Sequence, residues 1–252
     1  MYCYVIEQFD VERFDMTMTS SVLGSAAETM RARRSIRHYL PDPIPAPLLR
    51  QLLELALEAP SSWNFQSRSI VVVSDPELRA GLTRATNGQP HPQEAPVTLV
   101  FVAECEAWRE NLDDVYDQAR QRKAWNDKFI AMFQESGPEF QQDLAERGLL
   151  REYAVKDAMI AATYLMIAAA DAGLATSPMN GWNEDEVKKV IGIADRDDLA
   201  IALLVPVGLP AEQRRHPGRK PFEHKVFQQQ YGMQEINPVR SAHVTNTKEE
   251  SS

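Results

Sequence analysis

The chain has 252 residues, 44% of them hydrophobic and 25% charged, and a formal net charge of -9 at pH 7. This is the composition of a globular protein with a sizeable core, and its acidity argues against nucleic acid or an anionic membrane as partner of the whole protein. Two cysteines, no Cys/His ligand spacing, no apolar run near the roughly 18 residues of a spanning helix and no secretion signal predict a cytoplasmic protein without disulfides or zinc.

Helices and strands alternate through the first hundred residues. Apolar residues at helical spacing and the positions of prolines predict the helices, and β-branched runs predict the strands. The predicted elements are a helix over 20–36, a helix over 47–59, a strand at 70–73, a short helix from Asp75 to about Ala85, and a strand at 97–102. Pro47 suits the first turn of its helix, and the run at 70–73 is typical of a central strand.

One very apolar helix dominates the second half of the chain. The predicted elements are one or two amphipathic helices within 106–147, broken at Gly137 and Pro138, a core helix over 153–172 that ends at Gly173, a helix over 184–191 capped by Asn183, and a strand at 200–207. Few strands among many helices predict an α+β fold, in which helices enclose a central mixed or antiparallel β-sheet.

No shift of composition marks a second large domain. We therefore predict an N-terminal extension at 1–20, a single domain over 21–240, and a disordered tail at 241–252. The 106–147 segment is charged and rich in aromatic residues. We interpret it as a helical insertion, or lid, within the single domain.

Three arginines and a serine lie within five residues at 33–37. If the chain extends here, alternation places Arg33, Ser35 and Arg37 on one side, and if the helix continues, Arg33 and Arg37 share a face. Arginine binds phosphate through two parallel hydrogen bonds, and serine donates one more. Taken alone, such a segment is more often a solvated basic helix end, since cations complement a helix C-terminus.

Three further motifs follow along the chain. Residues 60–66 offer hydroxyls and amides on a loop that starts with proline, 178–182 follow the core helix, and 208–210 precede the cationic 219–221. Each motif alone indicates only a turn, because Ser and Asn close turns through their own backbone. The chain has no glycine-rich phosphate loop, so side chains would have to hold a phosphate.

The order and spacing of these four motifs, over most of the chain, resemble the nitroreductase family of FMN-dependent oxidoreductases. The resemblance implies an intertwined homodimer with FMN at the subunit interface. The implied contacts are Arg33, Arg34, Ser35, Arg37, Gln89, Met179, Asn180, Gly181 and Arg219 around one flavin, with Pro60, Ser61, Ser62 and Asn64 from the other subunit. Arg33, Ser35 and Arg219 would lie toward the phosphate and ribityl end, and 179–181 would line the ring and direct a backbone N–H at its N5.

The chain departs from the family pattern in two places. Ser67 and Arg68 follow the loop glutamine, where family members often have a proline and a tryptophan. We expect Arg68 to point to solvent, although it could add charge at the edge of the site. The 106–147 segment is long, and its aromatic residues could either line a lid over the flavin or pack as the stripe of an amphipathic helix. These aromatic residues are Trp108, Trp125, Phe129 and Phe133.

The resemblance implies a ping-pong reaction in which NADH or NADPH reduces the flavin and leaves, and a small electron-poor acceptor such as a nitroaromatic or a quinone takes its place. Hydride transfer needs no side-chain base, so the lack of a catalytic dyad among the five histidines is expected. Ene reduction, dehalogenation and flavin fragmentation stay open as reactions of the same family. A non-enzymatic nucleotide- or RNA-binding module is the alternative, and the net charge of -9 argues against it.

Overall fold

The computed structural model describes residues 25–233. The chain divides into two compact units, Met1–Arg214 and Arg215–Ser252, and the predicted extension at 1–20 and tail at 241–252 lie outside the described residues. The helices are α1 Ser25–Ala32, α2 Ala46–Leu57, α3 Pro76–Ala85, α4 His91–Glu94, α5 Asp113–Gln121, α6 Asp127–Glu146, α7 Leu150–Asp171 and α8 Glu184–Val190. The strands are β1 Arg68–Val73, β2 Val97–Glu104, β3 Ala175–Thr176 and β4 Leu199–Gly208.

The described strands form one antiparallel sheet in the order β1-β2-β4-β3. Ile70 of β1 lies opposite Phe101 of β2, and Leu99 of β2 lies opposite Val205 of β4. Side chains of each strand alternate between the two faces of the sheet. Apolar side chains therefore lie on both faces, and helices cover both. α2 and α7 pack on one face, and α3 and α8 pack on the other. The predicted α+β fold with an enclosed sheet is therefore confirmed.

The core helix α7 has the length and apolar composition that would also suit a membrane span, and its packing explains that composition. Ala158 and Ala161 are fully buried against the sheet and α2. Gly173 ends the helix in the left-handed region with a φ of 77°, and Leu174 N–H donates to Ala169 O at 2.8 Å, as in a Schellman cap. The prediction of a core helix ending at Gly173 is confirmed.

Two sequence-based expectations about the elements are wrong, and one short strand was missed. α1 ends at Ala32 instead of continuing to 36, because the chain leaves it to run beside the sheet. β1 is an edge strand and not a central one, since a β-branched run reports local preference while the place in a sheet depends on distant partners. β3 was not predicted, because two residues carry no periodic pattern.

The fourth difference concerns α6, which continues through Gly137 and Pro138 without the predicted break. Proline removes one helical hydrogen bond and crowds the residue before it, but Gly137 has no Cβ to be crowded. Gly137 also packs closely on the loop before β1, where an added Cβ would lie 3.1 Å from Phe65 Cζ. Tertiary packing therefore keeps the helix continuous at this point.

The described part of the second unit, 215–233, holds a short 3₁₀ turn at Phe222–His224. Gly218 N–H donates to His216 Nδ1 at 2.9 Å. The predicted phosphate contact Arg219 is exposed, and its Nη1 donates to Gly218 O at 2.7 Å. Its proposed role at the phosphate stays a prediction.

Candidate functional site

The arginine-serine segment is extended and lies beside the sheet. Ser35 forms a parallel bridge with Thr176 of β3, and Ile36 N–H donates to Thr176 O at 3.2 Å. Ile36 is buried, while Arg33 and Ser35 are half-buried and Arg37 is exposed. Of the two geometries considered for this segment, the structure has the extended one, in which alternate residues share a side.

Two side chains hold the ends of this segment in place. Arg34 Nη1 donates to the carbonyls of Arg31 at 2.6 Å and Arg33 at 2.8 Å, so its guanidinium occupies carbonyls at the end of α1. Tyr39 O–H donates to Ile36 O at 2.7 Å and to Pro206 O at 3.2 Å. Burial of this hydroxyl raises the pKa of Tyr39. The segment is thus fixed to both α1 and β4.

Arg33 and Arg34 line a cleft of about 530 Å³ with the end of α7 and with residues 212–214. Within this cleft Glu212 accepts from the backbone N–H of Arg37 and from Arg214 Nε, both at 2.8 Å. These two hydrogen bonds lower the pKa of Glu212 to about 2. The carboxylate of Glu212 therefore connects residues 33–37, called the cationic segment below, to the chain that follows β4.

We expect Glu212→Gln to reduce thermal stability at neutral pH and to lose this effect in acid. Folding lowers the pKa of Glu212 from its ordinary 4.5 to about 2, so its stabilising contribution is present above 4.5 and disappears as pH falls toward 2. The melting temperature measured between pH 7 and pH 2.5 should show the gap between wild type and variant closing. Glu54→Gln, in an exposed pair with Arg50, controls for the loss of one negative charge; a gap that stays constant with pH would refute the expectation.

The predicted ring contacts also come together. Met179 is buried and pairs with β4, its N–H donating to Leu204 O at 2.9 Å. Asn180 and Gly181 are exposed beyond this bridge. A Cβ placed on Gly181 would lie 3.5 Å from Gln89 Nε2 and would meet nothing else within 4 Å among the described residues. The backbone of Gly181 is thus open to close approach beside the Gln89 amide.

An ion pair fixes the far end of the 179–181 segment. Arg151 of α7 donates two hydrogen bonds to the carboxylate of Glu184, at 3.1 and 2.6 Å. Glu184 also accepts from Ile201 N–H at 2.9 Å, and Arg151 holds the pKa of Glu184 below its usual range although burial opposes this. α8 is therefore anchored to both α7 and β4, which restrains the segment that precedes it.

Electrostatic interactions connect residues 87–94, a turn followed by α4, with the cationic segment and His38. His38 Nδ1 lies 2.9 Å from Glu94 Oε2. Burial lowers the pKa of His91, and the charge of Arg37 lowers it further. The structure thus groups the cationic segment with the loop that carries Gln89, as the resemblance implied.

The loop at 60–66 has an unusual backbone. Trp63, Asn64 and Gln66 lie in the left-handed region, with φ values of 54°, 48° and 52°. Residues other than glycine enter this region at a cost, and such strain persists only where surrounding contacts hold it. Ser61 supplies two of these contacts, since its carbonyl accepts from Asn64 N–H at 3.1 Å and its Oγ accepts from Gln66 N–H at 2.9 Å.

This loop and the cationic segment lie near opposite ends of α7. Ser62 N–H donates to Asp157 Oδ1 at 3.3 Å, whereas Arg33 lines its cleft together with Ala170. Thirteen residues of α7 (157 to 170) separate these two points, which is about 20 Å at a rise of 1.5 Å per residue. The two halves of the predicted site are therefore well separated along this helix.

Arg68 does not point to solvent, which corrects the expectation from the sequence. It is only 6% exposed, and its Nη2 donates to Leu57 O at 3.0 Å and also to Ala59 O. The end of α2 leaves carbonyls without helical partners, and this buried guanidinium satisfies that of Leu57 together with the carbonyl of Ala59 just beyond the helix. Arg68 also lines a cavity of about 430 Å³ together with Pro60 and Asn64.

The aromatic residues of the 106–147 segment pack on the loop. Trp63 meets Phe133 edge-on, with ring centroids 4.8 Å apart, and Phe133 lies 4.9 Å from Trp125 and 5.8 Å from Phe129. Trp108 lies outside this group, with the Arg109 guanidinium 4.1 Å above its ring. Phe129 and Phe133 of α6, with Trp125 just before it, thus pack together beside the loop, and the role of the 106–147 segment as a lid stays a prediction.

Sequence reasoning missed the polar contact that α7 makes with the loop at 60–66. Asp157 is 3% exposed and accepts from Ser62 N–H. The first turns of α7 also carry charge at 151, 152 and 156, so the charge of Asp157 gave no distinctive signal. The contact itself joins residues about a hundred positions apart, so no local pattern predicts it.

Comparisons with known proteins show which proteins the chain is similar to. The model of the nitroreductase family matches residues 30–209. The NADH dehydrogenase of Thermus thermophilus is 36% identical over 215 residues, which cover 84% of this chain and 99% of that protein. The crystal structure of ydfN from Bacillus subtilis has a TM-score of 0.72 at 26% identity and covers 79% of this chain and 96% of its own.

A further structure, from Exiguobacterium sibiricum, was determined in complex with FMN. It has a TM-score of 0.69 at 23% identity and covers 81% of this chain and 96% of its own. At this level of identity the likeness concerns the fold alone. With the family model spanning most of the described residues, the chain belongs to the nitroreductase family.

Proposed function

We propose that the protein transfers hydride from NADH or NADPH, by way of FMN, to a small electron-poor acceptor such as a nitroaromatic or a quinone, in a ping-pong cycle. Membership of the family and the names of its relatives, which include NAD(P)H nitroreductases and an FMN reductase, support an NAD(P)H-dependent FMN oxidoreductase. When bound, FMN supplies the chemistry by taking hydride from nicotinamide and giving it to the acceptor. The proposed setting is the cytoplasm, as expected from the sequence.

The residues present fit this cofactor. Guanidinium groups and a hydroxyl suit a phosphate dianion, and the amides of Gln89 and Asn180 suit the hydrogen-bonding edge of the ring. The open space above the backbone of Gly181 suits a flat ring that approaches closely. The observation that carries the proposal is the fixed extended segment, whose bridge between Ser35 and Thr176 places it on the sheet next to β3.

Each group of residues has a distinct role in the proposal. Arg33 and Ser35 bind the phosphate and ribityl end, with Arg34 contributing backbone contacts and Arg219 a second cation. Arg37 favours negative charge on the reduced ring, because a fixed cation nearby stabilises it without reorganisation. Met179, Asn180 and Gly181 line the ring, and a backbone N–H of this segment is directed at N5.

The remaining contacts come from a second copy of the chain. Pro60, Ser61, Ser62 and Asn64 would reach the flavin that the other subunit holds, so the proposed enzyme is a homodimer. The separation of about 20 Å along α7 between the Ser62 loop and the Arg33 cleft supports this arrangement. A single flavin would meet both groups if a partner supplied the loop.

The proposal is tested by the colour of the purified protein. We expect a yellow protein that absorbs near ~450 nm and bleaches when NADH or NADPH is added without oxygen, because reduction removes the oxidised flavin band. Denaturation should release FMN, and a nitroaromatic or a quinone should restore the colour. A colourless protein that gains no such absorbance with added FMN would end the proposal.

A further inference from the structure

The strained loop has a buried charged residue directly beneath it. Asp157 is 3% exposed, and its Oδ1 accepts the N–H of Ser62, the residue just before the first left-handed position. Its other oxygen, Oδ2, has no hydrogen-bond partner among the described residues. The loop is thus held from α7 through the backbone N–H of Ser62.

Arg68 is the buried cation whose charge acts on Asp157, without a direct ion pair between the two side chains in the described part of the chain. Its Nη2 is engaged by Leu57 O and Ala59 O, while Nε and Nη1 have no partner among the described residues. Burial raises the pKa of Asp157 and lowers that of Arg68, and the two groups oppose these shifts in each other. Glu104 is the other carboxylate that acts on Arg68. The orphaned groups on both residues are therefore complementary in charge.

A buried pair of this kind is costly. Two charges taken out of water often stabilise a fold less than apolar residues of the same volume would. The pair also brackets the loop, because Arg68 fixes the carbonyls just before Pro60 and Asp157 fixes Ser62. Its location, rather than its contribution to stability, indicates what it does.

We infer that Asp157 and Arg68 are positioning residues that hold the 60–64 loop in its strained conformation, ready to contact the flavin of the partner subunit. This inference depends on the proposed function. In the inferred arrangement neither side chain touches the cofactor, and both act through the loop residues Pro60, Ser61, Ser62 and Asn64.

The test separates positioning from general stability. In the double variant Arg68→Met/Asp157→Leu, apolar groups of similar volume replace the pair, so the fold should be retained. We expect its melting temperature to fall no more than that of a control that also loses buried backbone hydrogen bonds, while the Kd for FMN rises about tenfold and the visible circular dichroism of the bound flavin changes. Lys188→Met is the matched control, because it removes a buried cation bonded to a carbonyl, Arg196 O at 3.0 Å, outside the loop.

Wild-type FMN affinity in the folded double variant overturns the inference and leaves the proposed function intact. If the double variant does not fold, Asp157→Ala replaces it, because it removes the oxygen that accepts from Ser62 N–H and leaves Arg68 in place. Its expected effect is a rise of about threefold in the Kd for FMN, and an unchanged Kd again overturns the inference. A wild-type protein that takes up no FMN overturns the proposed function itself.

Discussion

Arg33→Ala is expected to yield a colourless protein whose Kd for FMN is about a hundredfold higher than that of wild type, equivalent to about 2.7 kcal/mol. Hydrogen bonds to charged groups contribute about 1.5–3 kcal/mol each, and a guanidinium makes two of them to a phosphate. Arg33 is half-buried at the edge of its cleft, so less of this interaction is screened by water. Quenching of FMN fluorescence on titration of the apoprotein measures the change.

Arg31→Ala is the matched control for this variant. Arg31 is an exposed residue in the last turn of α1, and its replacement removes the same charge two residues away. Only its backbone carbonyl is used by Arg34, and the substitution leaves that carbonyl in place. Equal loss of affinity in the two variants would mean that Arg33 acts through net charge alone and not through contact with the phosphate.

Gly208→Ala is expected to lower the free energy of unfolding by about 1–3 kcal/mol, the usual cost of overpacking a closed site. An added Cβ would lie 2.6 Å from Pro96 Cδ and 3.2 Å from Tyr39 Cδ1. Neither ring can move aside easily, because one is part of the backbone and the other is buried with its hydroxyl bonded to two carbonyls. Since Tyr39 holds the cationic segment, FMN affinity should fall as well.

Urea denaturation followed by tryptophan fluorescence measures the loss of stability. Gly181→Ala provides the control, since the same methyl group there meets only Gln89 Nε2, at 3.5 Å. Without FMN, which would itself stabilise the native state, this control should unfold at the wild-type midpoint. A wild-type midpoint for Gly208→Ala would show that the approach of β4 to Tyr39 is looser than the structure indicates.

The elements predicted well are those set by local sequence. The apolar composition of α7, the glycine after it, and the Asn183 cap, whose side chain accepts from Glu186 N–H, all act over a few residues. β1 was expected at the centre of the sheet because its β-branched run looks the same at an edge. The break predicted at Pro138 fails for the same reason, since Phe65 packs on Gly137 from far along the chain.

The predictions about the site also divide into those set by local sequence and those that depend on distant contacts. From the sequence, the cationic segment could be extended or could continue the helix. The structure has the extended form, which is fixed by a bridge to Thr176, a contact that the local sequence does not predict. Arg68 was expected in solvent because a charged residue usually lies there. Its burial depends on the carbonyls of Leu57 and Ala59, which the fold brings within reach.

The central claim is that each flavin is held by the cationic segment of one subunit and the loop of the other. Subunits carrying Arg33→Ala and subunits carrying Ser62→Trp can be produced together with different tags, and the mixed dimer isolated. In that dimer both lesions fall in one site and the other site is intact. The measurement is the amount of FMN bound per dimer, compared with each variant alone and with wild type.

If the loop serves the partner's flavin, each variant alone should bind almost no FMN, and the mixed dimer should bind one FMN with wild-type affinity. If the segment and the loop of the same chain served one flavin, every site in the mixed dimer would carry one lesion. A mixed dimer that binds no FMN tightly, while the wild-type dimer binds two, would contradict the account.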